Sequence, residues 1–280
     1  MKKTLLAILA HPDDESFGPG GTLAKFAAEG VDVHIAIATD GAAGSVAAGY
    51  EEAREKLAAV RAIELEKAVE ILGGTLHKLG YRDSGMKGDE ANKHPDAFIN
   101  ADDFTAIGQV VNLIRELQPH VVITHDETGG YFHPDHIQCW KITTAAYHAA
   151  GDEFQFSNPD LRAWGPDRLF YTVRPKTWIK FFTFMMRLAG KDPKAMGRNK
   201  DIDMTILGHE ADDIHVRLNY RKYWDIKRLA SAEHASQGGG TSRFRYMPQF
   251  VQKLLFGYDH FQQAHPAVPP GYKDDDLFPF

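Results

Sequence analysis

"TLLAILAHPDDESFGPGGTL", residues 4–23, decides how the chain is read. Two lysines precede an apolar run, so the segment opens like a secretory signal. The run from Leu5 to Ala10 lies at the short edge of a signal's apolar region, however, and "HPDDE" follows it at once. A short run rich in Leu and Ile that ends abruptly in polar residues is also the pattern of a buried parallel strand. The strand is the expected reading, and it makes His11 the first residue past a strand end.

The same alternation of elements continues along the chain. "GGTLAKFAAEG" reads as a helix closed by Gly30, "VDVHIAIAT" as a second strand, and residues 51–72 as a long helix stopped by "GG". "TLHKLG" is a third strand, "DDFTAIGQVVNLIRELQP" an amphipathic helix with an acidic start and a proline stop, and "HVVITHD" a fourth strand. "HPDHIQCWKITTAAYHAA" then reads as a helix and "RLFYTVRP" as a fifth strand. Strands alternating with helices imply an α/β fold, a Rossmann-like parallel sheet with helices on both faces. This catalytic domain is assigned to residues 1–175. Residues 176–280 form a smaller C-terminal extension that completes the pocket or supplies a subunit contact.

Composition narrows the function classes. The 280 residues carry a net charge of −6, so no nucleic-acid partner is expected. No run approaches the roughly 20 apolar residues that span a bilayer, and no membrane partner is expected. A single cysteine, Cys139, cannot form an intrachain disulfide, which fits the cytoplasm. Residues 176–189, "KTWIKFFTFMMRLA", stand apart as aromatic and methionine-rich. On a helix, Lys176, Lys180 and Arg187 share one narrow face. The simplest expectation is a helix buried on most sides; a subunit contact, an apolar lid or a lipid-touching helix are the other readings.

In parallel sheets, ligands sit beyond the carboxyl ends of the strands. "HPDDE" (11–15) follows strand one there and "HPDH" (133–136) follows strand four, so two distant polar clusters are expected to meet at one edge. Two histidines and a carboxylate, with one position left open, form the pattern of a catalytic zinc site, and a neighbouring carboxylate can act as general base. Spacing alone does not choose between Asp13 and Asp14 as the ligand. His125 and Asp126, also at a strand end, are read as fixing a loop. "GPGGTL" lacks the third glycine of a dinucleotide fingerprint, and no P-loop or Gly-x-Ser-x-Gly elbow occurs.

"AHPDDE" after strand one and "HPDH" after strand four make the sequence resemble the PIG-L/LmbE-like family of zinc-dependent N-deacetylases, over about residues 3–150. "KRLASAEHASQ" is weakly similar to that family's Lys…His-x-Ser-Gln segment, near Lys227, His234 and Gln237. The resemblance implies His11, Asp14 and His136 as ligands of one zinc per chain, with Fe2+ or another divalent metal as the alternative. It implies Asp13 as general base, His133 as oxyanion stabiliser or proton donor with Asp135 orienting that ring, and Tyr131 against the oxyanion. Arg61 and Asp83 match positions that contact the sugar. The partner implied is a small-molecule N-acetyl sugar conjugate, and the assembly a homo-oligomer.

The function this resemblance implies is removal of the acetyl group from an N-acetylglucosaminyl-type substrate, giving acetate and a free amine. The alternatives are an amidase of mycothiol- or bacillithiol-like conjugates, a non-catalytic sugar- or metal-binding protein, and a non-haem iron oxygenase. The last of these sites usually sits on an all-β barrel. Two departures from the family pattern bear on substrate: "TDGAAGS" (39–45) has Ala42 where relatives often carry an acid, and Gly18 stands where some carry a larger polar residue.

Overall fold

The computed structural model describes residues 2–196, 200, 202–241 and 247–278. The opening run is β1 (Thr4–Leu9), buried at all six positions. Because side chains alternate along a strand, Leu5, Ala7 and Leu9 enter one core and Leu6 and Ile8 the other. That double burial is why the strand reads as a continuous apolar run. In chain order there follow α1 (Asp14–Phe17), α2 (Gly20–Ala28), β2 (Asp32–Thr39), α3 (Leu57–Leu72), β3 (Thr75–Tyr81), α4 (Asp103–Leu117), β4 (Val121–His125), α5 (Gly129–Phe132), α6 (Pro134–Ala150), β5 (Arg168–Thr172), α7 (Lys176–Leu188), β6 (Val216–Asn219), α8 (Trp224–Glu233), α9 (Gln249–Phe256) and β7 (Tyr258–His265). The helix expected over 51–72 is a 3-10 stretch at Glu51–Lys56 and α-helical only from Leu57.

The sheet order is β3-β2-β1-β4-β5-β7-β6. The first five strands pair in parallel, as the alternation predicts. One core packs Leu23 and Phe26 of α2 and Leu65 and Val69 of α3 against the sheet; the other packs Val110 and Ile114 of α4 and Ile142 and Ala146 of α6. Helices therefore cover both faces. The extension adds β7 antiparallel to β5, and β6 antiparallel to β7, so the sheet is mixed. β7 is "YDHFQQAH", buried at Asp259, Phe261 and Gln263, so two of its three inward residues are polar and no hydrophobic alternation announces it. Asp259 is satisfied by the N–H and hydroxyl of Thr22 and by Lys227.

Segment 176–189 differs from the buried helix expected of it. In α7 only Ile179 and Thr183 are buried, while Phe181, Phe184, Met185 and Leu188 are exposed. A single stripe four residues apart faces the protein. No described helix is long and apolar enough to cross a membrane.

Gly21 of α2 is fixed by packing: a Cβ there would lie 2.2 Å from the ring of Tyr220. Overpacking of this kind costs up to about 3 kcal/mol, whereas alanine's better helix propensity returns about 1 kcal/mol. Gly21→Ala should therefore lose about 2 kcal/mol of stability in urea unfolding, taking the difference of those two terms. An unchanged midpoint would contradict the close approach.

Candidate metal centre and catalytic turn

β1 and β4 are neighbours, but the chain leaves them toward opposite edges of the sheet, β1 leading to β2 and β4 to β5. At such a switch point the two departing loops separate and leave a crevice. "HPDDE" leaves β1 there, and α6 opens with "HPDH" after β4. Pro134 occupies the first turn of α6, and His133 caps it by accepting the Asp135 N–H on Nδ1 at 3.2 Å.

The two motifs meet. His11 Nδ1 and His136 Nε2 are 3.1 Å apart, His136 Nε2 and Asp14 Oδ2 3.4 Å, and His11 Nδ1 and Asp14 Oδ2 3.6 Å. Ligands about 2.0–2.1 Å from a tetrahedral zinc are separated by about 3.3–3.4 Å. The donor set, two imidazole nitrogens and a carboxylate oxygen, suits zinc as well as this spacing does. Each imidazole is oriented through its other nitrogen: His136 Nδ1 donates to Gly129 O at 3.1 Å, and His11 Nε2 to Asp135 Oδ2 at 3.1 Å. Asp14 and His136 also line a cavity of about 360 Å³, which leaves room for a further ligand.

Among the described residues, three other close groupings of ligand atoms occur, one of them His11, His133 and His136. His125 joins Asp14 and His136, but its Nε2 accepts the Ala10 N–H and its ring stacks on His136 at 3.9 Å. Asp83 and Asp135 cluster with His11 and His133, yet Asp83 accepts the N–H groups of Ala43 and Gly85, and Asp135 that of Ser84. Burial disfavours charge on His11, but Asp83, Asp135 and Asp14 outweigh this and raise its pKa well above 6.5. Asp126 binds Thr128, Gly130 and His209, tying its own loop to the extension.

Asp13 is the strained residue of the turn, at φ 129°. Such backbone costs about 1–3 kcal/mol in a non-glycine residue and persists only where its surroundings impose it. Here Asp13 N–H donates to Glu15 Oε2 at 3.0 Å, and its carboxylate lies 3.2 Å from Arg61 Nη2. Burial pushes its pKa up to about 7, with Arg61 opposing the rise. That is the range useful to a general base. Burial, reinforced by the neighbouring His11, lowers His133 to about 3. With Nδ1 accepting from the backbone, the neutral ring carries its proton on Nε2. The Tyr131 ring packs edge-on against His133 and His136, at 5.7 and 5.1 Å, and burial raises the pKa of its hydroxyl.

Three expected residues occupy other positions. The Asp135 carboxylate turns to His11 and not to His133, because the start of α6 gives His133 only the Asp135 backbone N–H. Arg61 is 2% exposed; its guanidinium donates to Gly41 O at 2.9 Å and to Pro12 O. Asp83, also 2% exposed, lies behind His11, 3.5 Å from Nε2. Gly18 has a local reason, since a Cβ there would lie 2.6 Å from Asp14 O. Sequence reasoning missed how Glu15 is used. Both it and His234 are fully buried and they pair at 2.6 Å; the His-x-Ser-Gln similarity was the available signal.

The sequence profile of the family described as "PIG-L: GlcNAc-PI de-N-acetylase" matches residues 6–147, just over half the chain and both motifs. The chain belongs to the PIG-L family. A relative within reach of it, the 1D-myo-inositol 2-acetamido-2-deoxy-alpha-D-glucopyranoside deacetylase of Rhodococcus erythropolis (strain PR4), is 41% identical over 298 residues, covering 99% of this chain and 97% of that one. Among solved structures, the N,N'-diacetylchitobiose deacetylase of Pyrococcus horikoshii superposes with a TM-score of 0.63 at 20% identity, covering 93% of this chain and 83% of that one. The 4-carboxy-2-hydroxymuconate hydratase GalB of Pseudomonas putida KT2440 follows at 0.60 and 17%, covering 96% and 99%. At such identities these likenesses establish the fold, and the hydratase shows that this PIG-L fold also carries a different reaction.

If Asp135 orients His11 for the metal, Asp135→Ala should weaken zinc binding about 10- to 100-fold. Competition with a chelator measures this, and unchanged affinity would contradict the assignment.

Proposed function

We propose that this chain is a zinc-dependent hydrolase that removes the acetyl group from an N-acetylglucosaminyl conjugate, releasing acetate and a free amine. The observation that carries the reading is the triangle of His11 Nδ1, Asp14 Oδ2 and His136 Nε2, with Asp13 next to Asp14 in the chain and its carboxylate held by Arg61. The deacetylase name of the Rhodococcus relative supports it and points to a sugar linked to an inositol. Residues 1–175 supply the chemistry in this reading. Residues 176–280 complete the pocket, with Trp178, His209 and Tyr258 among its walls.

When bound at the triangle, zinc supplies Lewis acidity, polarising an amide carbonyl and making water nucleophilic near neutral pH. The chain's residues do the rest. The Asp13 carboxylate takes a proton from the attacking water as the new C–O bond forms. His133 Nε2–H and the Tyr131 hydroxyl donate toward the oxygen on which negative charge develops. Asp13 then returns its proton to the nitrogen as the C–N bond breaks. His133, neutral and with its one proton on Nε2, is suited to hydrogen bonding more than to giving that proton away.

The protein partner in this reading is a second copy of the chain, and its surroundings are cytoplasmic, where the buried thiol of Cys139 stays reduced.

Release of free amine from a panel of N-acetylglucosaminides, the inositol conjugate included, tests the function. Zinc-loaded protein should turn over, and chelated protein should not. Asp13→Asn should keep its zinc and lose about 10²- to 10⁴-fold in kcat. Near-normal turnover by that variant would remove Asp13 from its role.

A further inference from the structure

Glu15 and His234 are 219 residues apart in sequence, and both are fully buried. His234 Nε2 donates to Glu15 Oε1 at 2.6 Å. The Ser16 hydroxyl donates to the same oxygen at 2.6 Å. The other oxygen, Oε2, accepts the Asp13 N–H at 3.0 Å. His234 Nδ1 has no hydrogen-bond partner among the described residues, so its pairing with Glu15 is the one polar contact that fixes the ring. Phe17 packs edge-on against it at 5.8 Å. His234 ends α8, and the turn after it is anchored separately, with Glu64 accepting the Ser236 N–H at 2.8 Å and its hydroxyl at 2.6 Å.

These contacts meet at the strained residue. A peptide unit entering φ 129° needs its N–H held, because relaxation toward negative φ would turn that N–H, and the side chain with it, elsewhere. Glu15 supplies the acceptor, but a carboxylate in a dry environment needs donors on its remaining lone pairs to stay oriented. Ser16 is its sequence neighbour and moves with it. His234 belongs to a different part of the fold and gives an external reference point. The Asp13 carboxylate is fixed separately by Arg61. The base is therefore located twice, at its backbone from the C-terminal extension and at its side chain from α3.

Resting on the deacetylase reading, we propose that His234 is a positioning residue for the reaction: through Glu15 it holds the backbone of Asp13 in the strained conformation that aims the base. It touches neither substrate nor metal. Its removal should misplace the base in the transition state and leave ground-state binding alone, and misplacement by about 1 Å can cost on the order of 100-fold in rate.

The experiment compares wild type with His234→Phe, which keeps a ring and deletes the donor, and with His234→Gln, whose amide nitrogen reaches to about the place of Nε2. Kinetics on the best N-acetylglucosaminide are paired with bound zinc per chain and with circular dichroism. His234→Phe should lose at least 10-fold in kcat with KM and zinc content unchanged, and His234→Gln should recover most of the loss. Should the phenylalanine variant not fold, His234→Asn carries the same prediction, since its amide is too short to reach Glu15. A kcat within twofold of wild type would overturn the proposal. So would a loss that glutamine does not restore, or one matched by lost zinc or raised KM, because these mark general damage. Wild-type protein inactive on every substrate would instead refute the deacetylase reading itself.

Discussion

The site depends on the pairing of β1 with β4 at the centre of the sheet, Leu5 to Ala7 against Val121 to Ile123. Each strand is buried throughout, so its register is fixed by packing on two faces. That register sets where the chain leaves the sheet, with "HPDDE" in the first turn after β1 and "HPDH" reached from β4 through α5. A slip of one residue would exchange the two faces of β1 and carry His11 away from His136. Precision at the triangle of His11, Asp14 and His136 is thus inherited from an apolar contact well below it.

Around the triangle, charge is arranged in layers. Asp14 accepts the His11 N–H and shares the space with two imidazoles, while Asp83 and Asp135 stand on the far side of His11 and accept other backbone N–H groups. Asp13 has a cation of its own in Arg61. So many buried carboxylates are tolerable because each has donors or a positive partner; an unpaired one would be costly to bury. The same distribution separates roles. Asp14 faces the imidazole nitrogens, and Asp13 faces a guanidinium one residue away because the turn reverses at φ 129°.

Much of this was legible in the sequence. The five parallel strands and the meeting of "HPDDE" with "HPDH" follow from apolar runs ending in polar clusters, and the family resemblance agrees with the family the chain belongs to. β6 and β7 were not legible: β6 has four residues, and β7 buries Asp259 and Gln263, whose hydrogen bonds stand in for hydrophobic pattern. Arg61 and Asp83 could be singled out, but not their burial, because a charged residue on a helix or in a turn shows its partners only in three dimensions. The link from His234 to Glu15 spans most of the chain; the weak His-x-Ser-Gln similarity marks His234 but does not name its partner. The exposed apolar side chains of α7 likewise run against the rule that such residues go inside.

The central claim is that a metal sits on the Nδ1 side of His11. Anomalous diffraction at the zinc edge from zinc-soaked crystals tests it most directly. The account predicts one peak within about 2.0–2.2 Å of His11 Nδ1, Asp14 Oδ2 and His136 Nε2. A peak on the opposite side of the ring, among His11 Nε2, Asp83, His133 and Asp135, would contradict it, and with it the roles given to Asp13 and Asp135.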